Sequence, residues 1–371
     1  MPINLAYLFE PFPVFFQPYI NPIIKYFNSN ENYDFKVFAL KKVAGESVVD
    51  KLEYLTTNYK KRKLIELSNR WLGHNKNYNF FEHKMNKFDI VHIQHSFLFS
   101  KFDPILKHEH AKRPKFVITL RGSETYIKPL ISKRWEEFFL KDMMDAYVVM
   151  SENQKLKLIH YGIDAQKIYL IPISHDFDEF NKENNVRLKK NQIRIVSVFR
   201  LCWEKNIFGN LMVIFNIKKM GYNVNYTIYG DGVEKGKLLY LIDYLNLNDE
   251  VDYKGKKPKV EVLENLSIFN FYLQLSFSES LGMSVIEAQS QGLPCIVSNV
   301  GGLGEIIPNG ESGYTVEPFE YEKAANFIVD LYKNETLYYE FSKNSKENSQ
   351  RYKVSNEIQK LENMYMELLN T

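Results

Sequence analysis

Short apolar runs alternate with helix-length segments almost from the first residue. The front half carries such runs at 3–9, 35–39, 90–94, 116–120, 146–150 and 168–171, and the back half at 194–199, 225–229, 251–253, 271–275 and 295–298. Strand-length runs spaced by amphipathic segments predict parallel sheets covered by helices on both faces, an α/β architecture. Ser151 followed by Gln154 forms a capping-box pattern that starts a helix after Met150. Near the C-terminus, Ile358, Leu361, Tyr365, Leu368 and Leu369 fall on one helical stripe, so this last helix must dock on another surface.

A chain of 371 residues exceeds what one hydrophobic core usually organises. The polar, aperiodic stretch 181–191 reads as the linker, which divides the chain into domains at 1–185 and 186–350 with a closing helix at 351–371. Hydrophobic residues make up 45% of the chain, enough for two cores. The only cysteines, Cys202 and Cys295, cannot build a disulfide framework, and their contexts read as core or pocket wall, which predicts a reducing, cytoplasmic setting. The apolar stretch 5–20 is broken by Glu10, Pro11, Pro13 and Pro18, so neither a leader peptide nor a membrane span is expected there.

The net charge is only +3, but it is unevenly spread: residues 1–187 hold 28 Lys and Arg against 22 Asp and Glu, and the remainder 20 against 23. Much of the excess lies in 59–87, where basic residues interleave with Trp71, Tyr78, Phe80 and Phe81. This composition suits peripheral contact with an anionic membrane, for instance its inner face. A solvated helix face would account for the same residues. Nucleic acid is a poor explanation, since the total charge is small and no binding motif accompanies the patch.

The richest chemistry lies in 276–288. Glu279 and Glu287 stand on either side of Ser280, Leu281, Gly282, Met283 and Ser284, between a strand-like run and a helix-like run. At such a helix start the backbone N–H groups of Gly282, Met283 and Ser284 lack intrahelical acceptors and suit a phosphate. A carboxylate can accept two hydrogen bonds from a vicinal diol, and a nucleotide-sugar has two diols separated by a diphosphate. Arg200 and Lys205, just after the run 194–199, supply the positive charge a diphosphate needs.

In these residues the chain resembles the retaining glycosyltransferases of glycosyltransferase family 4. The landmarks are Arg200 with Lys205, then Tyr229-Gly230-Asp231-Gly232, Val251 to Gly255 and Glu279 to Glu287, followed by Gly292-Leu293-Pro294, Gly301 to Glu305, Asn309-Gly310 and Gly313. The resemblance implies the GT-B fold, two Rossmann-like domains facing a cleft, with the final helix crossing back to an acceptor-binding N-terminal domain. It also implies retaining, metal-independent transfer of a sugar from a nucleoside diphosphate sugar to a hydroxyl of a glycan or lipid-linked acceptor, as in cell-surface polysaccharide synthesis. Arg200, Lys205 and Glu279 would be catalytic, Gly230 and 280–284 would bind the donor, Glu287 would hold the ribose hydroxyls and Glu279 those of the transferred sugar. No cofactor is implied beyond the donor; its base is not identified by these residues, with UDP slightly favoured over GDP. An epimerase of the same fold, or a non-catalytic sugar-nucleotide-binding subunit, would share the fold. The subunit reading predicts damage to the donor residues, and none is seen.

Asp176-Phe177-Asp178 matches an Asp-x-Asp metal pattern, but it leads into the linker and is not read as a metal site. His92 and His95 lie three apart on a strand and point to opposite faces, so they cannot share an ion. His95, at the strand's end, is a candidate for lining the cleft; His92 reads as a core histidine. Thr119 to Glu124 resembles the segment in which the family has a histidine before the glycine, where this chain has Arg121. Arginine cannot serve as a base at neutral pH, but it can bind phosphate or stabilise negative charge. The front loop 9–18, rich in proline and aromatics, also departs from the family's paired glycines.

Overall fold

The computed structural model describes residues 2–12, 19–42, 49, 51–55, 67, 84–101, 113–176, 188 and 191–370. Most of the basic segment 59–87, most of the linker 181–191, residues 13–18 of the front loop, and Asp178 lie outside the described residues. The chain forms two compact units, one of Met1–Pro172 with Val354–Thr371 and the other of Ile173–Lys353.

The first unit holds β1 (Ile3–Phe12), β2 (Tyr33–Lys42), β3 (Leu52–Tyr54), β4 (Ile90–Ile93), β5 (Lys115–Thr119), β6 (Ala146–Val149) and β7 (Ile168–Leu170). Among the described residues they form a seven-stranded sheet in the order β3-β2-β1-β4-β5-β6-β7, with every pairing parallel. Central strands of such a sheet are covered on both faces, so their apolar runs do not alternate. Leu5 to Phe9 are accordingly all buried, as are the four residues of β4 and of β6.

The second unit holds β8 (Ile193–Val198), β9 (Val224–Tyr229), β10 (Val251–Gly255), β11 (Phe271–Gln274), β12 (Cys295–Ser298) and β13 (Gly313–Val316). Its parallel sheet runs β10-β9-β8-β11-β12-β13. Its core joins Ile195, Ile228, Leu273 and Ile296 from the sheet to Leu211, Ile214 and Ile328 from the covering helices. In each sheet the order reverses beside the first strand, at β1/β4 and at β8/β11, the place where open α/β sheets leave a crevice beyond the strand ends.

Two strands had no counterpart in the hydrophobic pattern. β3 is a three-residue edge strand of half-buried residues. β13 begins at Gly313, where a side chain would overlap the carbonyl oxygen of Cys295 on the neighbouring strand. The division between units falls at Pro172/Ile173 rather than at 185/186, because the chain enters and leaves the second unit side by side: His175 bridges to Lys353, and its N–H donates to the Tyr352 carbonyl at 2.8 Å.

Ser151 accepts from the Gln154 N–H at 3.2 Å as the capping pattern predicts, but the Gln154 side chain accepts from Met150 N–H at 2.8 Å instead of closing the box. The closing helix is Val354–Asn370 and belongs with the first unit. Its buried stripe is Glu357, Leu361, Met364, Tyr365 and Leu368; Leu369, expected on that stripe, is exposed. The buried side of the helix is thus set by where Tyr365 finds its polar partners, the Tyr7 hydroxyl at 2.9 Å and His92 Nδ1 at 2.5 Å.

Candidate active site

The loops after β8 and β11 meet at the reversal point of the second sheet. Asn206, in the left-handed conformation at φ 44°, caps the helix Ile207–Lys219 by accepting from Gly209 N–H at 3.0 Å, and its amide donates to the Pro318 carbonyl at 2.9 Å. Asn210 donates to the Lys205 carbonyl at 2.8 Å and accepts from Leu275 N–H at 3.0 Å, tying the first loop to the end of β11. Phe277 N–H donates to the Glu204 carbonyl at 2.7 Å. With both loops held, Lys205 forms an ion pair with Glu279, their side chains 11% and 17% exposed. Arg200 is exposed on the same loop. Neighbouring Cys202 has its thiol pKa pushed up to about 11 by burial and by Glu204.

Gly282, at φ 106°, turns the chain into the helix Met283–Ser290, whose first N–H groups are those of Met283 and Ser284. A side chain at Gly282 would collide with Leu303, so the sharp entry needs glycine twice over, for conformation and for space. At Gly230 a side chain would overlap the Phe199 carbonyl oxygen, so glycine there lets the loop after β9 close on the end of β8. Leu281 and Gly282 are buried, while Ser280, Met283, Ser284 and Glu287 are half-buried.

Glu287 accepts from Lys259 at 2.9 Å, and the buried His175 lies with Nδ1 4.0 Å from the same carboxylate oxygen. Burial lowers the His175 pKa, with Glu287 pulling the other way. Beneath Glu279 runs a buried polar chain. Gln274 Nε2 donates to Glu279 at 3.1 Å, and Gln274 Oε1 lies 2.9 Å from the Tyr272 hydroxyl and 3.2 Å from Ser284 Oγ. Lys259, His175, Asn206, Asn210, Tyr272 and Gln274 were not singled out in the sequence. Of these only Tyr272 and Gln274 carried a signal, as polar members of an otherwise apolar strand.

In the first unit, His95 accepts from Glu10 N–H through Nδ1 at 2.9 Å, which leaves the proton of the neutral ring on Nε2. Burial and the nearby Arg121 lower its pKa to about 4. Arg121 donates to both the carbonyl and the side-chain oxygen of Gln94, the latter at 2.8 Å, and lies 5.9 Å from the Tyr19 ring centre. His92 is a core histidine, with Nε2 2.7 Å from Thr119 Oγ1 and a pKa lowered to about 3 by burial. Among the described residues no three His, Cys, Asp or Glu side chains gather as a metal site, and no helix is long and apolar enough to cross a membrane.

Residues 178–348 match the family described as Glycosyl transferases group 1, and residues 51–179 match Glycosyltransferase Family 4. The chain belongs to glycosyltransferase family 4. Among its family relatives, the N-acetyl-alpha-D-glucosaminyl L-malate synthase of Bacillus anthracis is 24% identical over 294 residues, 76% of this chain and 75% of the relative. The UDP-Gal:alpha-D-GlcNAc-diphosphoundecaprenol alpha-1,3-galactosyltransferase of Escherichia coli is 23% identical over 254 residues, 64% of each chain. The structure of Anabaena HepE in complex with UDP superposes with a TM-score of 0.78 at 16% identity, covering 98% of this chain and all of that one. The fold of this family member is GT-B.

Proposed function

We propose that the protein transfers a sugar from a nucleoside diphosphate sugar, with retention of anomeric configuration and without a metal ion, to a hydroxyl of a glycan or lipid-linked acceptor. The observation that carries this reading is the Lys205–Glu279 ion pair beside the helix start at Gly282, where a cation, two free amides and a diol-binding carboxylate converge. As the glycosidic bond breaks, negative charge grows on the leaving diphosphate. Arg200, Lys205 and the amides of Met283 and Ser284 bind that charge more tightly than the ground state, which is the condition for catalysis. The leaving phosphate helps to deprotonate the acceptor hydroxyl on the same face. Glu279 holds the hydroxyls of the transferred sugar, and Glu287 those of the ribose. UDP is the favoured carrier, as relatives are named for UDP-sugars and HepE was crystallised with UDP. A cytoplasmic site of action, with the basic segment 59–87 against the inner membrane face, belongs to the same reading.

Calorimetric titration of UDP into the Glu279→Gln and Glu287→Gln variants tests the assignment. Only the ribose diol is common to donor and product. Glu287→Gln is therefore expected to weaken UDP binding while Glu279→Gln keeps it. The opposite pattern reverses the two roles, and no UDP binding by the unaltered protein removes UDP from the reading.

A further inference from the structure

Tyr272 and Gln274 put two polar side chains on β11, a strand whose four residues are all buried. A buried carboxamide costs free energy unless its hydrogen bonds are made, and this one is fully used. Its Nε2 donates to Glu279 Oε2 at 3.1 Å and lies 3.2 Å from Ser276 Oγ. On the other side, Oε1 faces the Tyr272 hydroxyl at 2.9 Å and Ser284 Oγ at 3.2 Å, while those two hydroxyls are 2.8 Å apart. The backbone N–H of Val198, at the end of β8, donates to the Tyr272 hydroxyl at 3.3 Å. The chain thus runs from the base of the Arg200 loop, under the sheet's reversal point, to the first turn of the helix Met283–Ser290 and up to Glu279.

We propose that Gln274 is a positioning residue for Glu279. Its amide and the Lys205 ammonium both hold Oε2, so the carboxylate is fixed in one orientation with Oε1 left for a ligand hydroxyl. The same amide is locked against Ser284, on the turn that offers its N–H groups to the diphosphate. That turn keeps a second tie without the amide, the bond between Ser284 Oγ and the Tyr272 hydroxyl at 2.8 Å, so Gln274 acts chiefly on Glu279. An aliphatic side chain of the same size would fill the space on β11 but would leave the Glu279 carboxylate held by Lys205 alone among the described side chains. This inference rests on the donor-site reading given above.

The variants Gln274→Leu and Gln274→Glu test it, with UDP-N-acetylglucosamine cleavage and calorimetric UDP binding as readouts. Gln274→Leu should lower kcat by about tenfold or more while the UDP dissociation constant stays within about threefold, the mark of an interaction realised in the transition state. A carboxyl group at 274 can donate to Glu279 only when protonated, and two ionised carboxylates in one buried site repel. Turnover by Gln274→Glu relative to the unaltered protein should therefore rise by about tenfold on going from about pH 8 to about pH 5.5, an acid rescue that a merely structural lesion lacks. Unchanged kcat in Gln274→Leu, an equal loss of UDP affinity and turnover, or a flat pH ratio in Gln274→Glu overturns the proposal. An unaltered protein that binds UDP but does not cleave this donor removes the sugar-reading role of Glu279, and with it the proposal. One that fails even to bind UDP removes the UDP-sugar site on which the proposal rests.

Discussion

The hydroxyl of Tyr365, on the last helix, lies 2.5 Å from Nδ1 of His92 on β4. Both side chains are buried, and the Tyr7 hydroxyl joins them at 2.9 Å from Tyr365. The closing helix is thus tied to the first sheet by polar contacts, and it also buries Leu361, Met364 and Leu368. Tyr365→Phe leaves the ring packing in place but strands two buried polar partners, which costs about 1 to 3 kcal/mol. Urea unfolding of the variant should show that loss, and a midpoint equal to that of the unaltered protein would mean the contact contributes nothing.

Burial holds His92 at a pKa of about 3 and His95 at about 4, against an ordinary value of about 6.5. Both are neutral in the fold at pH 7. As pH falls below about 6.5 the unfolded chain takes up protons that the folded chain refuses, so stability is lost on acidification, by about 1 to 2 kcal/mol per histidine between pH 7 and pH 5. His92→Gln should remove its share of the slope, read as the difference in unfolding free energy between the two pH values.

Arg113 and Asp145 form an ion pair at 2.5 Å with side chains 1% and 5% exposed, and Asp145 also accepts from Phe116 N–H at 2.7 Å. Removing one partner of a buried pair leaves an uncompensated charge. Asp145→Ala should therefore destabilise the first unit by about 3 to 5 kcal/mol. Circular dichroism during thermal unfolding reads this as a lowered midpoint.

Arg200→Ala and Lys205→Ala should each lower kcat by at least about tenfold with the fold intact, since a charge-assisted phosphate contact contributes roughly 1.5 to 3 kcal/mol. Near-normal turnover in both variants, measured with a cleaved donor, would place the diphosphate elsewhere.

If Arg200, Lys205 and the helix-start amides carry the diphosphate charge, as proposed, turnover should be the same with and without excess chelator. Loss of activity that manganese restores would instead point to Asp176 and its neighbours as ligands.

The α/β class, the order of most strands, and the loops around Arg200 and Glu279 were legible in the sequence because each depends on neighbours close along the chain: apolar runs, a glycine at a sharp turn, a helix beginning after a strand. β3 and β13 were not, being too short and too mixed to stand out. What holds Glu279 was also invisible, because Lys205 is 74 positions away and only the side-by-side pairing of β8 and β11 brings them together. The same is true of Lys259 and His175 at Glu287, and of Tyr7 and His92 at Tyr365, 358 and 273 positions apart from it. The chain's local pattern determined which elements form and in what order. Tertiary packing decided which polar groups are buried, which partners they find and hence their charge, since burial and hydrogen bonding are properties of the assembled sheet.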